Sequence, residues 1–187
     1  MALHSAQHSW HRIESGAIFL QWVARAAEFV YQPRMERTLI ILKPDAIQRR
    51  LVGRIVQRFE EKGLGVGAMK AMRISRELAE RHYAPHKGKP FYPGLIDYIT
   101  SGPVVVMVLQ GERCIEISRT MMGKTFGFEA APGTIRGDFG ASRSFNMIHG
   151  SDSPESAKTE IALYFQPGEL LDYLPADAAW VYPKSDV

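Results

Sequence analysis

The sequence holds a single cysteine, Cys114, in 187 residues. One thiol excludes both an internal disulfide and a cysteine-rich metal site, so the fold must hold by packing, in a way that suits a reducing compartment. Nor does any apolar run reach the roughly 18 residues of a membrane-spanning helix, and the mean hydropathy is -0.16. A transmembrane segment is therefore not expected. Charge of one sign is scarce too, since 23 Lys and Arg face 20 Asp and Glu for a net +3. With a pI near 9.0, that balance leaves only a weak preference for polyanions, which nucleotides satisfy as well as nucleic acid does. Internal repeats and low-complexity tracts are absent. What remains is 45% hydrophobic and 23% charged, enough for one ordinary domain with a core, or a domain and an appendage.

Residues 1–34 differ from the rest. They have no lysine, three of the six histidines (His4, His8, His11) and two of the three tryptophans. Their apolar stretch from Ala17 to Tyr31 is broken by Gln21, Arg25 and Glu28 and could form one helix. As a secretory signal it lacks a basic start, and as a transit peptide it carries Glu14 and Glu28 among its arginines. The segment is read as an extension: a weak targeting peptide, a helix that contacts a membrane or another subunit, or, the favoured reading, sequence that is not translated. Met35 is then the expected start of a domain over 35–187. A cytoplasmic location follows, or a mitochondrial one if the extension acts as a transit peptide.

Thr38 to Leu42 is a short buried-strand run ended by Lys43-Pro44. Val52, Ile55, Val56 and Phe59 have helical spacing, with Gly63 as the stop. Val66 to Ile74 alternates like a half-buried strand, and Ser75 is a plausible cap for a helix running to about Tyr83. Pro85, Pro90 and Pro93 indicate a loop, Pro103 to Leu109 a second buried strand. A helix with Cys114, Ile117, Ser118 and Met121 on one face follows, closed by Gly123. Lys124 to Arg143 reads as a long loop, more than a compact domain spends without function. Asn146 to His149 reads as a brief strand, and Ser153-Pro154-Glu155 opens a helix whose buried face is Ala157, Ile161, Tyr164 and Phe165. The pattern predicts a two-layer α+β domain, with helices on one face of a four-stranded antiparallel sheet in the ferredoxin-like order βαββαβ with added helices.

Three motifs fail on context. Gly63-x-Gly65-x-x-Ala68 spells a dinucleotide fingerprint but follows a helix and opens a strand. Gly123-Lys124-Thr125 resembles a P-loop end, yet sits after a helix. His82 and His86 have the spacing of a helical metal pair, but Pro85 disrupts the turn between them.

His149 is different. It lies in N-M-I-H-G-S-D-S, at a strand end just before a capped helix N-terminus. An imidazole is nucleophilic at neutral pH, and the helix dipole favours anionic oxygen nearby. Ser151 and Asp152 add short polar groups, and Glu160 is spaced so that its carboxylate could hold one ring nitrogen. Phosphoryl transfer to nitrogen also needs cations around the migrating group. Lys43, Arg119, Thr125 and Arg136 supply a reasonable polyphosphate cradle, the last within P-G-T-I-R-G-D-F.

From Glu36 to Tyr182 the chain resembles the nucleoside diphosphate kinases. The likeness rests on E-R-T-L-I-I-L-K-P-D, H-Y with K-P-F-Y-P-G-L, S-G-P-V-V-V-M-V, P-G-T-I-R-G-D-F and the highly specific N-M-I-H-G-S-D-S. The resemblance implies ping-pong transfer of a γ-phosphate from a nucleoside triphosphate to a nucleoside diphosphate, with His149 as nucleophile and Glu160 orienting it. It implies Lys43 and Asn146 on the ribose, Tyr83, His86, Arg119, Thr125 and Arg136 around the phosphates, and Phe91 with Leu95 at the base. Mg2+ would ride on the nucleotide without a protein ligand. A homo-oligomer, with a hexamer favoured, is implied by the W-V-Y tail. Arg143 departs from the family, standing where many members place a small apolar residue opposite the base-stacking phenylalanine; its guanidinium plane can also stack on a base. The rival reading is a scaffold of the same fold that uses Arg49, Arg50, Arg54 and Arg58 to hold nucleic acid or anionic lipid; no obligate nucleic-acid partner is expected.

Overall fold

The computed structural model describes residues 35–173 and 175–182. The helix expected within 17–31, and the reading of 1–34 as an extension, lie outside the described residues.

Strand β1 (Glu36–Leu42) is central. Helices α1 (Pro44–Gln48) and α2 (Val52–Glu61) follow it. Gly63, at φ +90, ends this segment in a conformation that side chains resist. Next come β2 (Gly65–Arg73), α3 (Arg76–His82) and α4 (Tyr92–Thr100). Ser75 caps α3 as expected, its side chain accepting from the Leu78 amide. Strand β3 (Pro103–Gly111), α5 (Cys114–Met122), α6 (Ile135–Phe139), β4 (Ile148–Gly150), α7 (Pro154–Tyr164) and α8 (Ala178–Val181) complete the order. Ser153 caps α7 by accepting from the Ser156 amide.

The sheet runs β2-β3-β1-β4 with every pair antiparallel, the ferredoxin-like arrangement that was expected. Helices cover both faces, however, where the sequence reading put them on one. Ile40, Leu42, Met107 and Leu109 meet Ile55 and Phe59 of α2 and Met122 of α5. Leu39, Ile41, Val106 and Val108 meet Ala79 of α3, Ile96 and Ile99 of α4, and Ile161 and Tyr164 of α7. The reason lies in the strands themselves. Thr38 to Leu42 are all fully buried, and an unbroken apolar run needs cover on both sides. Each such side chain contributes roughly 1.5–3 kcal/mol, so neither layer is dispensable.

Three further boundaries differ. The proline-rich segment after Tyr83 contains α4, because a proline in the first turn of a helix loses no backbone bond. The loop from Lys124 to Arg143 contains a short 3-10 turn at Gly127–Glu129 as well as α6. The strand expected at Asn146 to His149 is shifted to Ile148–Gly150, where it pairs with β1.

Candidate active site

Register fixes the direction of His149. It sits opposite Ile41 on β1 and therefore faces the layer of α3 and α7. Glu160 projects from α7, and its Oε2 lies 3.0 Å from Nε2 of His149. Ser151 donates to the same carboxylate oxygen at 2.6 Å, while its own oxygen accepts from the Leu39 amide at 3.2 Å. Burial works against ionisation of Glu160, but hydrogen bonds from His149 and Ser151 outweigh it and hold the carboxyl below its ordinary range. An anionic acceptor at Nε2 places the proton there. Nδ1 keeps its lone pair.

Behind the imidazole stands His82, its ring perpendicular to that of His149 at 4.5 Å between centroids. Burial and then the neighbouring His149 pull its pKa down to about 3, so it is neutral. Neither ring nitrogen of His82 has a hydrogen-bond partner. The next residue, Tyr83, stacks with His86 at 6.2 Å, and His86 meets Phe91 edge-on at 5.7 Å. Burial raises the Tyr83 phenol, whose hydroxyl is buried without a partner. Phe91 is exposed and Leu95 half-buried against the second layer.

On the other side, Lys43 is buried at the end of β1 and donates from Nζ to Oδ1 of Asn146 at 2.7 Å. The Asn146 amide reaches the Thr125 carbonyl at 3.3 Å. Arg136 is buried and spends three donors on the carbonyls of Gly123, Asn146 and Ile148 at 2.8, 3.1 and 2.6 Å. Arg119 donates to the Gly150 carbonyl at 3.3 Å. Met147, two residues before His149, has φ +60, a left-handed conformation of the kind that concentrates at functional sites. Its carbonyl accepts from the Lys43 amide at 2.8 Å.

The structure thus draws His149, Glu160 and Ser151 into one hydrogen-bonded group, and Lys43, Asn146, Arg136 and Thr125 into a second beside it. Asp152 is exposed and lines a shallow groove with Glu36, Arg113 and Arg119. Arg143 is exposed, with its guanidinium 5.0 Å from the Phe126 ring centre. Sequence reasoning missed His82 as a neighbour of His149, weighing it only as a partner of His86. It also missed Tyr98, which sits under the Lys43 ammonium at 5.4 Å and donates to Asp45 at 2.5 Å. The i, i+3 spacing of Tyr98 with Leu95, beside that of the buried pair Ile96 and Ile99, was the available signal, hidden by the prolines around it.

An imidazole with one nitrogen held by a carboxylate and the other free, close to buried cations, suits an enzyme that moves phosphoryl groups. The family model described as nucleoside diphosphate kinase matches residues 36–170. The chain is 53% identical over 150 residues to the nucleoside diphosphate kinase of Archaeoglobus fulgidus, covering 80% of this chain and 99% of the relative. Identity to the enzyme of Pyrococcus furiosus is 56%, over 79% of this chain and 93% of the relative. Among solved structures, the halophilic nucleoside diphosphate kinase of Halobacterium salinarum in complex with CDP matches at a TM-score of 0.77 and 50% identity, over 79% of this chain and 98% of that one. The chain belongs to the nucleoside diphosphate kinase family, and so to the phosphotransferases.

Proposed function

We propose that this chain moves the γ-phosphate of a nucleoside triphosphate to a nucleoside diphosphate through a phosphohistidine at His149. The observation that carries this reading is the 3.0 Å contact of Nε2 with Glu160, which leaves Nδ1 as the free nucleophile. The Nδ1 lone pair attacks the γ-phosphorus, an N–P bond forms, and the bond to the β,γ-bridging oxygen breaks with its electron pair leaving on the diphosphate. The ring then carries positive charge, which the Glu160 carboxylate opposes. A second diphosphate attacks the same phosphorus through a terminal oxygen and restores free Nδ1. Ser151 holds Glu160, and Asp152 adds a polar group at the same turn.

Lys43 and Asn146 serve the ribose, with Lys43 also near the phosphates. Tyr83, His86, Arg119, Thr125 and Arg136 surround the phosphates, and Phe91 and Leu95 take the base. A ring that stacks reads the π-face, which every base has, so base tolerance should be broad. The donors placed at the phosphates are cationic or neutral, and Glu160 is already engaged; that set fits a nucleotide that keeps Mg2+ on its own phosphates. The scaffold reading loses its support, because Arg54 and Arg58 lie over the Phe139 ring and Arg49 donates to the Phe139 carbonyl at 2.6 Å. Among the described residues no helix is long and apolar enough to cross a membrane, and the cytoplasm is the proposed location.

Incubation with radiolabelled ATP should leave acid-labile, base-stable phosphate on the protein, which a nucleoside diphosphate then discharges. His149→Ala should abolish both events. Normal turnover in that variant, or acid-stable phosphate at Ser151, would overturn the mechanism.

A further inference from the structure

Beside the nucleophile lies a donor, the His82 imidazole, to which phosphoryl transfer assigns no part. One nitrogen of His82, one of His149 and a carboxylate oxygen of Glu160 all lie within 4.8 Å of one another. His149 Nε2 and Glu160 Oε2 are already at 3.0 Å, close to the roughly 3.3 Å between neighbouring ligands of a tetrahedral ion with bonds near 2 Å. Only His82 has to move inward. Its imidazole is 6% exposed, and both of its nitrogens lack a partner. A neutral imidazole buried in this way is a ready metal ligand, and coordination would recover the desolvation cost of leaving its nitrogens unpaired.

We propose that His82, His149 and Glu160 form a site for a borderline divalent transition metal such as Zn2+, and that its occupation switches off phosphoryl transfer. Two imidazoles and a carboxylate are a common ligand set for that ion, whereas Mg2+ prefers oxygen donors and remains on the nucleotide. On binding, the Nε2 proton of His149 leaves to solvent and the metal takes its place between the ring and Glu160. The ion then draws electron density from the imidazole, so Nδ1 becomes a poorer nucleophile, and the carboxylate no longer opposes the charge of a phosphorylated ring. The inhibitory effect rests on the phosphohistidine reading above; the binding of metal does not.

The test uses the full, metal-free chain with Co2+ as the spectroscopic probe and Zn2+ as competitor, in excess Mg2+. One equivalent of Co2+ should give the intense visible bands of a four-coordinate site, and Zn2+ should bleach them. His82→Gln should weaken this binding at least about 100-fold, beyond the 10–100-fold typical of losing only an outer-shell partner. The same substitution should relieve Zn2+ inhibition of transfer from MgATP to a nucleoside diphosphate, each protein being compared with its own metal-free rate. Should His82→Gln fail to fold by circular dichroism, Glu160→Gln reports on the Co2+ spectrum without depending on turnover. The proposal is overturned if the spectrum is unchanged in the folded variant, or if the equivalent disappears only on replacing His4, His8 and His11. Absence of transfer by the metal-free wild type would instead sink the phosphohistidine reading and leave the spectroscopic result standing.

Discussion

At Lys43 burial prevails over the charge, whereas at Glu160 hydrogen bonds prevail over burial. Burial, with help from the nearby Arg136 cation and against the pull of Asp45, lowers the Lys43 amine to about 7. Near neutral pH the free protein therefore carries this charge only in part, whereas a bound polyphosphate should hold the proton in place. Nucleotide binding then takes up a proton, and affinity is greatest on the acid side. The KM for a nucleoside diphosphate should rise above pH 7 by up to about tenfold per pH unit, and Lys43→Gln should give a high KM without that rise. Steady-state rates between pH 6 and 9 check this, and a flat KM in the wild type refutes it. Glu160 is held anionic by its two donors, Nε2 of His149 and the Ser151 hydroxyl. Glu160→Gln should lower turnover by about two to four orders of magnitude without abolishing it, the usual range for acid-base or tautomer assistance. An unchanged rate would remove Glu160 from the mechanism.

At the scale of elements, the short helix α6 sets the position of Arg136. Thr134 caps it by accepting from the Gly137 amide at 3.1 Å, and Arg58 pairs with Asp138 from α2. Gly137 is where the chain cannot carry a side chain, because a Cβ there would lie 2.0 Å from the Ala131 carbonyl oxygen. Gly137→Ala should cost about 1–3 kcal/mol, as overpacking does, and should raise KM more than it lowers kcat, since Arg136 shifts while His149 and Glu160 stay on β4 and α7. Thermal melts and steady-state kinetics decide; equal stability would show that the Ala131 turn yields freely. The helices that sequence reasoning placed well, α2, α3, α5 and α7, have either regular apolar spacing or a serine cap. Of those it missed, α1 and α4 have a proline in the first turn, which looks like a breaker until the fold shows that it is a start, while α6 and α8 are single turns too short for an apolar period. His149, Glu160 and Ser151 were legible because they are close in sequence. His82 was not, since its place beside His149 depends on α3 packing across the sheet, a relation that no local pattern carries.

For the whole molecule, two exposures matter. Trp180 on α8 is 90% exposed and Phe128, in the loop before α6, is 61% exposed, large apolar surfaces that ask for cover. Further copies of the chain are the expected cover, and light scattering at micromolar concentration should give a mass near six times the 21.0 kDa of the chain. A monomer mass would refute this, and a tetramer would correct the count. The contribution of residues 1–34 is separable from that question. Strand β1 begins at Glu36, the family match begins at residue 36, and every proposed site residue lies from Lys43 onward. Alignment over 80% of this chain already spans 99% of the Archaeoglobus relative. A protein beginning at Met35 should therefore match the full chain in kcat and KM. Its melting temperature should differ by less than about 4 °C, roughly what 1 kcal/mol does in a domain of this size. Measuring both proteins at equal subunit concentration also compares their assembly. If removal of residues 1–34 lowered the activity or dissociated the oligomer, those residues would be a structural part of the enzyme, and the domain would have to be drawn to include them.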